Sequence, residues 1–150
     1  MDKIPGSETG GCLCGKVRYQ VSGAPNWVAI CHCESCRKAT GAMLSVYAGF
    51  YDKAFCYTSG TVNTHASSEG VERCFCGNCG SSLTYASTRW PGEVHVLVAS
   101  IDDPSSYVPQ AQIYLQDSVP WLSSAHEIAK FHTTPSEEKE GGSDELAKAV

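Results

Sequence analysis

The chain lacks any run approaching 18 apolar residues, the length an α-helix needs to cross a bilayer. Residues 94–99 form a short apolar stretch, and His95 interrupts it. It also lacks a basic surplus. Eleven Lys and Arg stand against 16 Asp and Glu, a net charge of −5, so the general cationic footprint of a nucleic-acid binder is missing. No Gly-rich phosphate loop, Walker pattern or Ser-His-Asp arrangement is present. Residues 1–11 have no apolar core and do not read as a secretory signal. Charged residues make up only 18%, with 42% hydrophobic, which excludes a wholly disordered polyampholyte. A chain of 150 residues fits one domain of ordinary size and needs no cross-link merely to hold a core.

Cysteine, by contrast, is abundant. There are nine, an odd number, so a set of intramolecular disulfides would leave one thiol over. Without a signal peptide the expected compartment is reducing and cytoplasmic, where clustered cysteines bind metal or react more often than they bridge.

Composition divides the chain into a polar lead-in at 1–11, a body at 12–132 holding all the cysteines, and a flexible acidic tail at 133–150. The tail carries five acidic residues and two lysines, net −3, so the body carries only −2. The body reads as mainly β. Residues 16–21 alternate, with Val17, Tyr19 and Val21 on one face. Further strands are predicted at 44–50, 54–58, 71–75, 83–86, 94–99 and 112–115, punctuated by Gly, Ser, Asn and Pro. A short helix is predicted over 34–40 with Gly41 as its stop, and a weaker one over 126–132. Strands do not alternate with long helices, so small antiparallel sheets around metal knuckles are expected rather than a doubly wound α/β fold.

The cysteines fall into three clusters: Cys12-Leu13-Cys14-Gly15, Cys31-His32-Cys33-Glu34-Ser35-Cys36, and Cys74-Phe75-Cys76-Gly77-Asn78-Cys79-Gly80. A C-x-x-C turn lets two thiolates converge on one ion. Grouping Cys12, Cys14, Cys76 and Cys79 gives a closed four-thiolate site. It leaves Cys31, Cys33 and Cys36 as an open three-thiolate site, a structural-plus-catalytic pairing. Spacing alone leaves other partitions open. The last two clusters both read C-x-C-x-x-C, so Cys74 is a possible ligand, and a ribbon pairing Cys33/Cys36 with Cys76/Cys79 is conceivable.

At these residues the chain resembles the glutathione-dependent formaldehyde-activating enzyme family, also known as GFA or CENP-V/GFA-like. The matching segments are GGCLCGKVRYQVSG from Gly10, CHCESCRKATGA from Cys31 and FCGNCGSSLTY from Phe75. RWPGEVHVLVASIDDP from Arg89 and QIYLQDSVPW from Gln112 extend the likeness over roughly residues 10–122. After Trp121 this chain reads LSSAHEIAKF, where family members often carry an Asp-Gly-Leu-Pro-like stretch. The resemblance implies a zinc-bearing β-tent fold. It implies a structural zinc on Cys12, Cys14, Cys76 and Cys79 and a second zinc on Cys31, Cys33 and Cys36, two per chain, with Cys56 and Cys74 left over. It also implies a carbon–sulfur lyase acting on thiol–aldehyde adducts of the S-hydroxymethylglutathione type. The expected partners are a small thiol such as glutathione and an aldehyde, with no nucleic acid and no membrane.

An open three-thiolate zinc suits that chemistry, because a thiol that coordinates zinc is deprotonated at neutral pH. Three protein thiolates on one Zn²⁺ leave a net −1, and the second zinc is expected to be the more labile. His32, between two ligands, and Arg37, which follows them, are the candidate catalytic residues: one for proton transfer, the other, with Lys38, for an anionic thiol. Equally, His32 suits a place beside the ligands or at the surface, and Arg37 and Lys38 suit solvated charges on a short helix. His95 shares a strand face with Glu93. Ser35 and Thr40 suit helix capping or turns. Trp27, Trp90, Trp121 and Tyr114 suit the core or a pocket rim. The rival functions are a non-catalytic zinc-binding interaction module and a thiol redox protein.

Overall fold

The computed structural model describes residues 6–128 and 130–133. The chain forms two compact units, Met1–Ser118 and Val119–Val150. The acidic tail expected at 133–150 lies outside the described residues except for Thr133, and so do residues 1–5 of the lead-in.

The first unit is mainly β, as its alternating and punctuated sequence predicts. A three-stranded antiparallel sheet has the order β1 (Ser7–Gly11), β2 (Arg18–Ser22), β5 (Phe55–Ser59). The second sheet has seven strands. It draws on β3 (Trp27–Cys31), β4 (Ser45–Tyr51), β6 (Val62–Ser68), β7 (Val71–Cys76), β8 (Ser82–Ser87), β9 (Glu93–Leu97) and β10 (Ala111–Ile113), in the order β10-β3-β4-β9-β8-β7-β6. Among the described residues only the β10–β3 pair is parallel. One helix, α1 (Glu34–Thr40), has the predicted bounds. Gly41 stops it at φ 68°, a left-handed conformation that costs glycine nothing.

The main core gathers side chains from both sheets. Val17, Tyr19 and Val21 are all buried, as their alternation predicts, and they join Val28, Ala48, Phe50, Leu83 and Val96. Cys12 and Cys76 belong to the same cluster. A second, smaller cluster of Cys31, Cys36, Tyr47 and Leu97 lies on the other face of the seven-stranded sheet, because β4 alternates Val46, Ala48 and Phe50 against Ser45, Tyr47 and Gly49.

Several elements differ from the predicted pattern. β1 forms from SETGG, a strand without β-branched support apart from Thr9, because β2 supplies its partner. β6 is an almost wholly exposed edge held by β7. β3 is apolar on both faces because both are covered: Val28 enters the main core, while Trp27 and Cys31 pack in the smaller cluster on the other face. The strand predicted over 94–99 ends at Leu97 and gives way to a 3₁₀ turn, Val98–Ser100. The one predicted over 112–115 stops at Ile113, because Tyr114 takes φ 58°.

In the second unit the described residues form a 3₁₀ stretch, Pro120–Glu127, opened by a proline that needs no amide partner. This replaces the helix predicted over 126–132, of which residue 129 is not described. No helix among the described residues is long and apolar enough to cross a membrane.

Candidate functional site

The two ends of the first cysteine cluster are shaped by tight turns. Gly15 N–H donates to the Cys12 carbonyl at 3.0 Å, and Gly80 N–H to the Cys76 carbonyl at 2.8 Å. These turns bring Cys12, Cys14, Cys76 and Cys79 together with all four Sγ atoms within 4.8 Å of one another. The Cys12–Cys14 and Cys14–Cys76 sulfurs are 3.5 and 3.8 Å apart. A disulfide requires about 2.05 Å, whereas the edge of a tetrahedron with Zn–S bonds of about 2.3 Å is roughly 3.8 Å. The spacing and the all-thiol donor set therefore fit a tetrahedral thiophilic metal. Amide donors already point at the sulfurs: Val17 N–H at 3.2 Å from Cys12 Sγ and Asn78 Nδ2–H at 3.3 Å from Cys14 Sγ. Hydrogen bonds from Ser81, side chain and backbone, hold the Cys79 thiol down to about 5.

The second cluster sits where β3 runs into α1. Cys31 ends the strand. Cys33 is the N-cap of the helix, its Sγ accepting from Cys36 N–H at 3.3 Å, and Cys36 lies in the first turn. The three Sγ atoms lie within 4.8 Å of one another, and among the described residues no fourth His, Cys, Asp or Glu joins them. Three sulfurs at this spacing also fit a thiophilic metal, with one position left to a ligand from outside. A hydrogen bond from Cys31 pushes the Cys36 thiol down to about 5 against the opposing effect of burial, helped by Cys33, by Tyr47 and by the charge of Arg73. Cys31 is correspondingly raised by its bond to Cys36 and by burial.

The geometry thus gathers the cysteines as four plus three, and among the described residues no metal-sized group draws on both clusters or includes Cys56 or Cys74. Cys56 is exposed on β5. Cys74 is half-buried, with Thr64 Oγ1 at 3.5 Å.

His32 is buried and stands apart from the sulfur trio. Its Nε2–H donates to Gln112 Oε1 at 2.9 Å and its backbone N–H to Ile113 O at 3.1 Å, so β10 pins it, while Nδ1 has no partner among the described residues. Arg37 NH1 donates to the Asp117 carbonyl at 2.9 Å. Lys38 pairs with Glu34 at 2.6 Å along the helix. Thr40 Oγ1 donates to the Cys36 carbonyl at 2.9 Å, a turn-stabilising bond. Trp90 and Tyr114 lie at the surface, and Trp121 is exposed in the second unit.

Two residues beside the open trio escape a sequence reading. Tyr47 Oη donates to Cys36 Sγ at 3.7 Å, and Arg73 NH1 and NH2 lie 3.7 and 3.8 Å from the same sulfur. The only signal for them is strand alternation, and alternation does not say which strands are neighbours. Both residues line a cavity of about 800 Å³, with Thr40, His65, Cys74 and Ser82 also on its wall and no carboxylate in its lining.

The glutathione-dependent formaldehyde-activating enzyme family model matches residues 7–117. A Halomonas elongata protein named for that family is 30% identical over 128 residues, 75% of this chain and 78% of its own length. A Schizosaccharomyces pombe protein named an uncharacterized lyase is 25% identical over 122 residues, 81% of this chain and 88% of its own. The crystal structure of a Rhodobacter sphaeroides protein superposes with a TM-score of 0.57 at 20% identity, covering 69% of this chain and 98% of that one, which bears on the fold.

Proposed function

The chain belongs to the glutathione-dependent formaldehyde-activating enzyme family, and on that premise we propose that it is a zinc-dependent carbon–sulfur lyase acting on thiol–aldehyde adducts of the S-hydroxymethylglutathione type. Cys12, Cys14, Cys76 and Cys79 would hold a structural zinc, and Cys31, Cys33 and Cys36 a second, reactive one. The lyase named among its relatives supports the reaction class. The observation that carries the reading is the three-sulfur trio, which has no fourth protein ligand among the described residues and lies beside a cavity lined by Arg73.

Zinc held by the trio would supply a Lewis acid that favours the thiolate form of a bound thiol. The remaining work falls to the chain. The reaction joins the sulfur of a thiol to the carbon of an aldehyde and moves the thiol proton to the carbonyl oxygen. The lyase direction breaks that C–S bond and returns the proton. Holding the two reactants together removes the entropic cost of their meeting. The cavity wall suits an anionic thiol, because it presents a guanidinium, an amide from Asn63 and several hydroxyls, and no carboxylate. Tyr47 and Arg73 both reach Cys36 Sγ from the cavity wall.

The test is metal analysis followed by titration with glutathione and formaldehyde, adduct formation and cleavage being followed by NMR. The expected wild-type result is two zinc ions per chain and turnover of the adduct. Cys33→Ser is expected to hold one zinc, to stay folded and to lose turnover by at least 100-fold. Unchanged stoichiometry in that variant would reject the assigned open site. A two-zinc wild-type protein that neither binds small thiols nor turns over the adduct would reject the enzyme reading.

A further inference from the structure

The register of the seven-stranded sheet runs one continuous row across six strands: Trp27 opposite Gly49, Gly49 opposite His95, His95 opposite Tyr85, Tyr85 opposite Arg73, and Arg73 opposite His65. Residues directly opposite share a face, so the whole row lies on the face that carries Cys31 and Tyr47. The side chains touch in sequence. Trp27 meets His95 edge-on at 4.6 Å between ring centres, and His95 stacks on Tyr85 at 5.3 Å and 27°. The Arg73 guanidinium lies 4.9 Å over the Tyr85 ring. Ser67 Oγ holds Nε–H at 3.0 Å, and both terminal nitrogens face Cys36 Sγ.

That arrangement leaves a half-buried guanidinium with no carboxylate ion-pair partner among the described residues. The group it faces instead is the Cys36 sulfur. Arginine keeps its charge throughout the working pH range and presents its donors as a rigid fork. Three thiolates with one divalent zinc sum to −1, and one guanidinium brings the sum to zero. We propose that Arg73 is a positioning residue for the three-cysteine site: laid on Tyr85 by the cross-strand row, it aims Cys36 and cancels the surplus charge of the trio when metal is bound. This rests on the reading that the trio holds a metal. It adds that the site's affinity depends on a cation carried by a different strand.

The charge effect outweighs the opposing one. Hydrogen bonds to a thiolate sulfur weaken its donation to a metal, but removing the guanidinium leaves a net negative centre in a partly desolvated place. Losing a partner that orients a metal ligand typically costs about 10–100-fold in metal affinity.

The experiment uses the full chain, stripped of metal and reloaded with Co²⁺, whose thiolate charge-transfer bands report sulfur ligation. A chromophoric chelator in competition measures the affinity of each equivalent. Arg73→Gln is expected to keep the first equivalent unchanged, to weaken the second about 10–100-fold and to shift its charge-transfer bands. Arg73→Lys restores part of the loss, because charge returns without the fork. Tyr85→Leu removes the platform and weakens the second equivalent less than Arg73→Gln. A second equivalent bound by Arg73→Gln with wild-type affinity and spectrum would overturn the proposal. If Arg73→Gln does not fold, undiminished binding in both Arg73→Lys and Tyr85→Leu overturns it. A wild-type chain that takes up only one equivalent overturns the metal reading of the trio as well, and so separates the two failures.

Discussion

At the residue scale, the row that ends on Arg73 depends on a missing side chain at position 49. A Cβ built there would sit 2.3 Å from the Trp27 indole, so only glycine lets Trp27 lean across β4 to reach His95 on β9. His95 is accordingly closed in by Trp27, Tyr85 and Trp90 and is almost fully buried. Burial lowers its pKa below the ordinary 6.5, and the Glu93 carboxylate, 3.2 Å from Nε2, recovers only part of that. The folded state resists protonation of His95 more than the unfolded chain does, so its contribution to stability is complete above about 6.5 and is lost as the pH falls through the lowered folded value. Thermal unfolding of the wild type between pH 7.5 and 5.5 should therefore show a falling Tm, and His95→Phe, which keeps an aromatic ring in the stack, should show a shallower fall. Equal slopes in the two proteins would remove His95 as the source.

At the element scale, α1 is only seven residues long and too short to be stable alone. It persists because its ends are tied. Cys33 caps the first turn, Gly41 N–H closes the last turn on the Arg37 carbonyl at 2.8 Å, and Ser82 Oγ donates to the Ala39 carbonyl at 2.9 Å. A second tie comes from the turn after β10, where the Asp117 carbonyl accepts from Arg37 and its carboxylate from Glu34 N–H. The left-handed Gly41 makes a clean test, since a Cβ there meets nothing within 4 Å and any cost is conformational. Gly41→Ala should destabilise by about 1–2 kcal/mol, read by thermal or denaturant unfolding. Because α1 carries Cys36, the same change should weaken the second metal equivalent and leave the first unaltered.

At the scale of the whole molecule, the four-cysteine cluster joins the N-terminal turn to the β7–β8 turn, with Cys14 and Cys76 separated by 62 positions. By analogy with a disulfide, closing a loop of that length removes on the order of 4 kcal/mol of unfolded-state entropy. Two of its sulfurs, Cys12 and Cys76, also pack in the main core. The three-cysteine trio closes only a local loop and packs in the small cluster on the opposite sheet face. Cys14→Ser should therefore cost several kcal/mol in an unfolding experiment, and Cys33→Ser much less. A mild chelator should remove one equivalent first with little change in Tm, and removal of the second should unfold the chain. Simultaneous loss of both metals with a single collapse of Tm would contradict this division of labour.

Much of this was legible in the order of residues. The alternation of Val17, Tyr19 and Val21 marked the face that enters the core, and Gly41 marked the end of α1, because local periodicity and backbone freedom act within a few residues. The knuckle spacing of the cysteines marked candidate metal ligands for the same reason. What the residues could not decide by themselves was partnership. The spacing left a ribbon open beside the four-plus-three grouping that the family resemblance implies, and in the structure the sulfurs of Cys12 and Cys14 converge with those of Cys76 and Cys79. Arg37, adjacent in sequence to the trio, donates to the Asp117 carbonyl, while Arg73, 37 positions from Cys36, faces its sulfur. Strand alternation says which face a side chain takes, but the register between strands distant in sequence decides which side chains meet on that face. That register comes from cross-strand hydrogen bonds and shared burial, which exist only once the sheet has formed.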